Sequence, residues 1–482
     1  MKVLLINPPR DNEIIGNNPA IIDEERGFNP PLGLLYLAAS LEERTAHEPV
    51  VIDCQVERLD VEGIRRRVRE HAPDVVGITV MTMSLIDTLN TIAAVKSVTP
   101  EVPVVLGGPH VHLFPEETIG LPGVDYLVLG EGERTFARLT DALDIADESA
   151  RAAALDAIPG IVFEQAGRVI RTGPPEAVED LDDIPFPARH LVPYKKYSSL
   201  LSAGQTVTTI FTSRGCPFKC RFCDRPHLGK RFRARSAMNT VDELERCVEM
   251  GIREFLIYDD TFTVNKRRAR DICDEIVARG LSINFDIRAR VDTIDDDLLA
   301  RLRAAGCSGI HYGVEAGTPA ALAALNKGIT IPQVREVFAM TRRHGLPILA
   351  YFMIGNPGET RADILETFRV TRMLNPDFIH LTILTPFPGT RIYADALEKG
   401  IIESDVWRQF ARNPTADFVP PHYGEHLTKA ELQALLVRGY HRFYLRPRYI
   451  ARRLSKLRSM DELKKKARAG VKVFLMKAAG SQ

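Results

Sequence analysis

Residues 207–223 read Val-Thr-Thr-Ile-Phe-Thr-Ser-Arg-Gly-Cys-Pro-Phe-Lys-Cys-Arg-Phe-Cys. The first residues have the apolar, β-branched pattern of a buried strand, and a loop follows that carries Cys216, Cys220 and Cys223. Thiolates spaced four and three residues apart on one loop can bind three irons of a [4Fe–4S] cube and leave the fourth iron without a protein ligand. The spacing therefore favours an iron–sulfur cluster at the end of a strand.

A structural zinc ion is the alternative that this spacing leaves open. Zinc takes four ligands, and His227 lies close enough in sequence to be the fourth. The remaining cysteines are scattered and are most simply small buried side chains: Cys54, Cys247, Cys273 and Cys307. Because seven cysteines are an odd number and we find no secretory signal, we expect no disulfides.

The composition is that of a globular chain. Of the 482 residues, 45% are apolar and 26% are charged, which excludes a collagen-like or broadly disordered protein. No apolar run approaches the roughly 18 residues of a membrane span. The apolar stretch near the N-terminus is too short for a signal peptide, so we interpret it as a first strand and expect a cytoplasmic protein.

The charge is unevenly distributed, although 63 basic residues balance 63 acidic ones. Residues 442–482 contain 13 lysines and arginines against Asp461 and Glu462, so this tail carries a net charge of +11 and the rest carries −11. A basic helix with aromatic side chains can lie on anionic lipid, which predicts association with a membrane surface. A solvated helical tail is the plainer alternative, and nucleic-acid binding is the least favoured.

Residues 1–145 alternate between short apolar runs and helical patterns, which predicts a Rossmann-like domain with a parallel sheet. Its predicted strands are Val3–Ile6, Val50–Asp53, Val75–Val80, Val102–Leu106 and Tyr126–Leu129. Ligands bind such sheets at the carboxyl ends of the strands. No G-x-G-x-x-G follows the first strand and no G-x-x-x-x-G-K-S/T occurs, which disfavours nicotinamide and P-loop nucleotide binding.

The remaining chain divides into three predicted parts. Residues 146–205 form a proline-rich and acidic connector with a hairpin at 161–170. Residues 206–400 alternate six strands with helices, which predicts a partial (β/α)6 TIM-like barrel whose site lies at the strands' carboxyl ends. Residues 401–482 are predicted to be a mainly helical C-terminal extension that ends in the basic tail. The predicted barrel strands are Val207–Thr212, Glu254–Tyr258, Ile283–Ile287, Gly309–Val314, Ile348–Ile354 and Phe378–Leu384.

The cysteine loop, with an aromatic residue directly before its last cysteine, resembles that of the radical S-adenosylmethionine (radical SAM) superfamily. Segments at four later strand ends match as well. The resemblance implies that S-adenosylmethionine (AdoMet) contacts Phe222, Tyr258, Asp259, Asp260, Arg288, Arg290, Glu315 and Ile354. One segment departs from the pattern, because Asp259-Asp260 stand where many relatives have Gly-Gly-Glu. Alone, these residues also have plainer interpretations: a helix N-cap for the aspartates, an ion pair with a nearby arginine for Glu315, and surface charges for the arginines.

The layout of residues 1–400 resembles the subset of that superfamily with an N-terminal cobalamin-binding domain. The implied cobalamin contacts are Asn7, Pro8, Thr82, Met83, Ser84, Gly107, Gly108, Pro109, His110, Gly130, Glu131, Gly132 and Glu133. Since no D-x-H-x-x-G occurs, the resemblance implies cobalamin without a protein histidine on cobalt, and His110 and His112 are expected to shape the loop. A Rossmann-like domain that has lost cobalamin is the alternative.

The resemblance implies a radical enzyme with three cofactors: a [4Fe–4S] cluster, AdoMet and cobalamin. The usual reaction of such enzymes is methylation of an unactivated carbon or phosphorus, here expected on a small or lipid-like molecule. A cyclase or rearrangement enzyme similar to the anaerobic magnesium-protoporphyrin ester cyclase is the first alternative, and a non-enzymatic zinc- or nucleic-acid-binding protein is another. A reductant such as flavodoxin or ferredoxin is the expected partner.

Overall fold

Two sheets flanked by helices form the body of the protein, one mostly and one entirely parallel. The structure is a computed structural model that describes residues 1–17, 27–198, 205–224 and 228–454. Its strands are β1 Lys2–Asn7, β2 Glu48–Asp53, β3 Val75–Thr79, β4 Val104–Gly107, β5 Tyr126–Val128, β6 Ile161–Gln165, β7 Arg168–Arg171, β8 Val207–Ile210, β9 Ser213–Arg214, β10 Arg233–Ala234, β11 Glu254–Ile257, β12 Asn284–Ala289, β13 Cys307–Glu315, β14 Ile348–Ile354 and β15 Phe378–Ile383. Its helices are α1 Leu32–Arg44, α2 Cys54–Glu57, α3 Val61–His71, α4 Leu85–Val98, α5 Pro109–Leu113, α6 Pro115–Ile119, α7 Gly132–Leu143, α8 Glu148–Asp156, α9 Ala237–Glu249, α10 Lys266–Ala278, α11 Asp296–Ala304, α12 Pro319–Ala324, α13 Ile331–Arg343, α14 Arg361–Leu374, α15 Arg391–Glu398, α16 Val406–Arg412, α17 Lys429–Tyr444 and α18 Pro447–Leu454.

The first sheet has the strand order β2-β1-β3-β4-β5-β6-β7, and its first five strands are parallel. The Rossmann-like expectation is therefore confirmed. The order changes direction between β1 and β3, which places a crevice at their carboxyl ends, where open α/β sheets bind ligands. The predicted hairpin forms β6 and β7, and it pairs antiparallel with β5, so it extends this sheet.

The second sheet contains six parallel strands in the order β8-β11-β12-β13-β14-β15, which confirms the predicted partial barrel. Burial alternates along its strands. In β14, Ile348, Ala350, Phe352 and Ile354 are fully buried, whereas the residues between them are only half-buried. Since successive side chains of a strand point to opposite faces, one face packs against the helices and the other lines the inside of the barrel.

The aromatic stretch at the end of α17 covers the edge strand β15. The Tyr440 hydroxyl accepts a hydrogen bond from the Leu381 N–H and donates to the Leu381 carbonyl, both at 3.0 Å. One turn later, the Tyr444 hydroxyl makes the same pair of bonds with Ile379 at 2.9 Å. These side chains satisfy backbone groups that an uncovered edge would expose. The predicted basic tail, residues 442–482, therefore contains a residue, Tyr444, that covers the edge of the barrel.

Most of the basic tail, residues 455–482, lies outside the described residues, as does His227. No helix in the described ranges is long and apolar enough to cross a membrane.

Replacing Tyr444 with phenylalanine should lower the free energy of unfolding by about 1–2 kcal/mol, because it leaves two backbone groups of the edge strand without this partner. Urea unfolding at equilibrium measures the change. Tyr194→Phe is the control, since Tyr194 is only half-buried and its hydroxyl has no hydrogen bond within the described part of the chain. Equal stability losses in both variants would contradict the role of the Tyr444 hydroxyl.

Candidate active site

The cysteine loop begins at the carboxyl end of β8 and is fixed at its base by the two-residue ladder of β9 and β10. Cys216 is buried, and Cys220 and Cys223 are half-buried. Gly215 has a φ of +76°, and a Cβ there would lie 2.2 Å from the Arg231 carbonyl oxygen. Only glycine fits this turn, which directs the chain into the loop.

Asp259 secures the start of the same loop. Its carboxylate is fully buried and accepts hydrogen bonds from the backbone N–H and the hydroxyl of both Thr212 and Ser213, at 2.6–3.1 Å. The structure thus separates the two neighbouring aspartates. The carboxylate of Asp259 holds the loop in place, whereas Asp260 is exposed at the rim of the barrel.

Arg290, at the end of β12, reaches the cysteines directly. One of its guanidinium nitrogens lies 3.5 Å from the Cys220 sulfur, and the guanidinium carbon lies 3.9 Å from the centre of the Phe218 ring. Asp292 orients this guanidinium through two hydrogen bonds of 2.9 and 2.8 Å. Arg290 is thus a buried neighbour of the cysteines and not a surface charge.

Glu315, at the end of β13, forms a buried ion pair with Lys327. The Nζ–Oε1 distance is 2.8 Å. A shift in strand register between Gly313 and Glu315 and a φ of +74° at Glu315 set this side chain's direction. A Cβ at Gly313 would lie 2.4 Å from the Glu315 oxygen, so this glycine leaves room for the pair. The sequence suggested an arginine as the partner, and the partner is a lysine.

The segment that supplies Lys327 also holds the cysteine loop. The Leu325 carbonyl accepts the Arg221 N–H at 3.0 Å, and the Asn326 amide donates to the Lys219 carbonyl at 2.7 Å. The Lys327 carbonyl accepts a hydrogen bond of 2.6 Å from Arg290. We did not identify residues 325–327 from the sequence, because nothing in it indicates a contact with a loop a hundred residues earlier.

Tyr258 and Arg288 form a stacked pair inside the open end of the barrel. The Arg288 guanidinium carbon lies 4.2 Å from the centre of the Tyr258 ring. The Tyr258 hydroxyl accepts a hydrogen bond of 3.0 Å from the Asn29 amide of the N-terminal domain. Phe222, half-buried, has the Lys327 ammonium 5.8 Å from its ring centre. The first domain therefore reaches the predicted AdoMet residues directly.

The loop after β14 contains Ile354 and a buried carboxyl group. Ile354 is fully buried, and Gly355 turns the chain with a φ of +77°. The Glu359 carboxyl accepts the Asn356 N–H at 2.9 Å. Burial raises the pKa of Glu359 to about 7.

A chain of titratable side chains lines the inside of the barrel below these residues. His311 Nδ1 lies 3.0 Å from the Tyr351 hydroxyl, and His311 Nε2 lies 3.7 Å from a carboxylate oxygen of Asp286. The His380 ring meets the Tyr351 ring edge-on at 5.4 Å. Sequence reasoning missed this chain, although polar residues at alternate positions of otherwise apolar strands were its signal.

In the first domain, three of the predicted loops meet at the crevice edge. The Asn7 amide donates to Asp53 at 2.7 Å, and the Pro8 carbonyl accepts a hydrogen bond from Gln55 at 3.1 Å. After β3, the Met83 carbonyl accepts the Ile14 N–H, and the Ser84 hydroxyl bonds the Met81 backbone. The Met81 side chain, directly before the predicted contacts at residues 82–84, is 56% exposed at this edge.

His110 shapes the loop after β4. It is fully buried, its Nδ1 lies 3.0 Å from the Thr82 hydroxyl, and its ring lies 5.4 Å from that of Phe114. Burial lowers the pKa of His110 to about 3, so the ring is neutral. Gly107 ends β4, and Gly108 needs its φ of +118° because a Cβ there would lie 2.7 Å from the Val80 carbonyl oxygen. Pro109 then starts α5.

The loop after β5 carries two of the carboxylates that we expect to contact cobalamin. In this structure both point to the barrel. Glu131 forms ion pairs with Arg233 and with Arg214, the latter at 3.4 Å, and Glu133 forms a short ion pair with Arg214. Gly130 has a φ of +72° against Pro175, and Gly132 packs on Leu37. These contacts join the two domains.

Comparison with known proteins agrees with this architecture. Residues 20–140 match the B12 binding domain and residues 210–371 match the radical SAM superfamily. The chain is 35% identical to an uncharacterized methyltransferase of Pyrococcus horikoshii over 93% of its own length and 94% of the relative's. The chain belongs to the radical SAM enzymes with a B12-binding domain. The predicted family is therefore confirmed.

Two further proteins are similar to this chain, one in sequence and one in fold. The chain is 27% identical to the anaerobic magnesium-protoporphyrin IX monomethyl ester cyclase of Rubrivivax gelatinosus, over 93% of this chain and 78% of the cyclase. The fold is similar to that of TsrM, a radical SAM methyltransferase of Kitasatospora setae solved with cobalamin and a [4Fe–4S] cluster. That likeness has a TM-score of 0.67 at 21% identity and covers 83% of this chain and 75% of TsrM.

The cofactors of this radical SAM enzyme are a [4Fe–4S] cluster, AdoMet and cobalamin, and the residues at each site fit them. Within the described ranges, no three His, Cys, Asp or Glu side chains converge as one metal ion would require. A cube binds each thiolate to a different iron, so its ligands stand further apart than those of one zinc ion. At the rim, Asp260 can pair with the AdoMet ammonium group and Arg288 with its carboxylate. At the other edge, the exposed Met81 side chain is an apolar group on which a corrin ring could pack.

In this radical SAM enzyme, Lys327→Gln should lower the free energy of unfolding by about 3 kcal/mol, because it leaves the Glu315 carboxylate buried without its partner. Denaturant unfolding measures the loss. Lys266→Gln is the matched control, since the Lys266–Asp295 pair at 3.2 Å is over a third exposed and should change stability by less than about 1 kcal/mol. A Lys327 variant as stable as the control would show that the pair does not stabilise the fold.

Proposed function

We propose that this protein is a cobalamin-dependent radical SAM methyltransferase that methylates an unactivated carbon of a small or lipid-like molecule. The observation that carries the proposal is that the carboxyl edges of the two sheets face each other. The Asn29–Tyr258 hydrogen bond crosses between them, and the buried Asn17 amide donates to the Thr385 hydroxyl, at 2.9 Å. A substrate held between the edges meets both cofactors. The similarity to a methyltransferase over almost the whole chain supports this proposal.

The chain's own residues bind, orient and shield the reactants. When bound, AdoMet on the cluster supplies one-electron bond cleavage, and cobalamin supplies a transferable methyl group. Arg290 and the 325–327 segment hold the cysteine loop, while Tyr258 and Arg288 line the path between the edges. Side chains that cross between the domains exclude water from a reaction that proceeds through radicals. We propose that a flavodoxin or ferredoxin supplies the electron.

A radical cyclase is the second candidate, and one feature of the barrel favours it. The chain Asp286–His311–Tyr351 offers groups that can exchange a proton inside the barrel. The methylation proposed here has no use for such a group, whereas oxidative cyclisation releases protons. The similarity to a cyclase of Rubrivivax gelatinosus supports this alternative.

Anaerobic reconstitution of the full chain tests the chemistry. We expect about four irons per chain and AdoMet cleavage, and Cys216→Ala should abolish the cleavage because one iron loses its ligand. Cys273→Ala is the control: Cys273 is buried among the helices, so the variant should still cleave AdoMet. In extracts with added cobalamin, a product heavier by one CH₂ supports methylation. A product that has lost hydrogen indicates the cyclase, and retained cleavage by Cys216→Ala would contradict both.

The C-terminal region leads us to propose a location at an anionic membrane surface. Beside the closed barrel edge, Leu445 and Ile450 are 37% and 43% exposed, and Arg442 and Arg448 are exposed as well. Residues 455–482 add eight lysines and arginines against two acidic residues. Apolar and basic groups together are what binding to an anionic interface requires.

Vesicle pelleting tests this location. The full chain should sediment with vesicles that contain phosphatidylserine and not with pure phosphatidylcholine, and added salt should release it because the attraction is electrostatic. A chain ending at Leu454 keeps the tyrosines that cover β15 and should bind several-fold more weakly. Equal binding by both chains would contradict the role of the tail.

A further inference from the structure

Four buried charges lie between the two domains, directly behind the cysteine loop. Arg214 and Arg233 are cross-strand partners in the β9–β10 ladder, and Glu131 and Glu133 lie on the loop after β5. Arg233 donates to Glu131 at 2.9 Å, Arg214 lies 3.4 Å from Glu131, and Arg214 and Glu133 form a short pair. All four side chains are at most 9% exposed. Two positive and two negative charges make this group, the interdomain ion cluster, neutral.

The position of Arg214 connects the interdomain ion cluster to the cysteine loop. Arg214 precedes Cys216 by two residues, and Gly215 between them makes the turn that only glycine fits. A shift of the Arg214 backbone therefore also moves Cys216, the first predicted ligand of the iron–sulfur cluster. The Arg214 guanidinium is paired with two carboxylates of the other domain, on the loop after β5, and lies 5.6 Å from the centre of the Tyr36 ring of that domain. Burial alone would raise the pKa of Glu133, but Arg214 outweighs it and lowers this pKa, so the carboxyl stays ionised.

We infer that Glu131 and Glu133 are positioning residues for the iron–sulfur cluster, acting through Arg214, so that the B12-binding domain sets the place and the electrostatic surroundings of the cysteine loop. The inference deepens the proposed function, since it rests on a [4Fe–4S] cluster held by Cys216, Cys220 and Cys223. It concerns the potential and the environment of that cluster and holds for methylation and cyclisation alike.

The direction in which a charge change in the interdomain ion cluster shifts the midpoint potential can be predicted. Reduction adds a negative charge to the iron–sulfur cluster, and charges in a buried site act on it with little screening. Glu133→Gln leaves a net positive charge beside the cysteine loop, which favours the reduced state and should raise the midpoint potential. Arg214→Gln leaves a net negative charge and should lower it. A general loosening of the loop would move both variants in the same direction.

The experiment uses the full chain, reconstituted anaerobically with iron and sulfide. Iron content is measured first, and a redox titration followed by electron paramagnetic resonance then gives the midpoint potential of each variant. We expect opposite shifts for Glu133→Gln and Arg214→Gln, and an altered resonance of the reduced cluster in both. Glu133→Asp and Arg214→Lys keep the charges and should fold and bind iron, with potentials close to the wild type but altered resonances.

Glu176→Gln and Arg138→Gln are the matched controls. They break a 3.3 Å pair between the first domain and the connector whose two side chains are about half exposed, and they should change neither the potential nor the resonance. Shifts of the same sign in the two test variants, or no shift in either, would overturn the inference. If both glutamine variants lose iron, unchanged resonances in the aspartate and lysine variants would overturn it. A wild-type chain that binds no iron would instead defeat the proposed function.

Discussion

The structure depends on ion pairs between charged side chains that are buried where its domains meet. A buried guanidinium or carboxylate is tolerated only when it is paired and hydrogen-bonded. The interdomain ion cluster meets this condition, and so does a second group nearby, where Arg189 of the connector and Arg235 of the barrel share the fully buried carboxylate of Glu243. The interdomain ion cluster pairs its charges only when the two domains dock, and Arg189 is paired only when the connector packs on the barrel. Pairing of buried charge thus specifies how the two sheets face each other.

In that orientation, the carboxyl edges of the two sheets form one site. Each sheet presents its loops at one edge, because every parallel strand ends on the same side. Separately, each edge would be a shallow site open to water. Contacts such as Asn17–Thr385 and Asn29–Tyr258 bring the edges together, and the ion pair between Arg408 and Glu117 at 2.7 Å adds a contact from α16. The site is therefore shared by the two domains, which is what a reaction between two bound cofactors requires.

Local sequence patterns predicted the helices and strands. They did not predict which side chains pair across long sequence separations. The apolar periods and the capping boxes at Thr330–Gln333 and Thr360–Asp363 account for the starts of α13 and α14. The cysteine spacing identified the cluster loop without any knowledge of the fold. The sequence also placed Asp259, Glu131 and Glu133 at strand ends correctly, but it could not tell which way their carboxylates point. That direction is set by partners far away in sequence, and Lys327 was missed for the same reason.

The C-terminal region shows how one stretch of sequence can combine two roles. Its aromatic and basic residues looked like a single surface-binding signal. In the fold, the hydroxyls of Tyr440, Tyr444 and Tyr449 bond to the backbone of residues 377–381, so they act as a substitute for a seventh strand. The exposed residues of the same helices, with the charges that follow them, remain outside this contact. Aromatic residues here close the barrel edge, and a surface role can rest only on the exposed apolar groups and the basic residues.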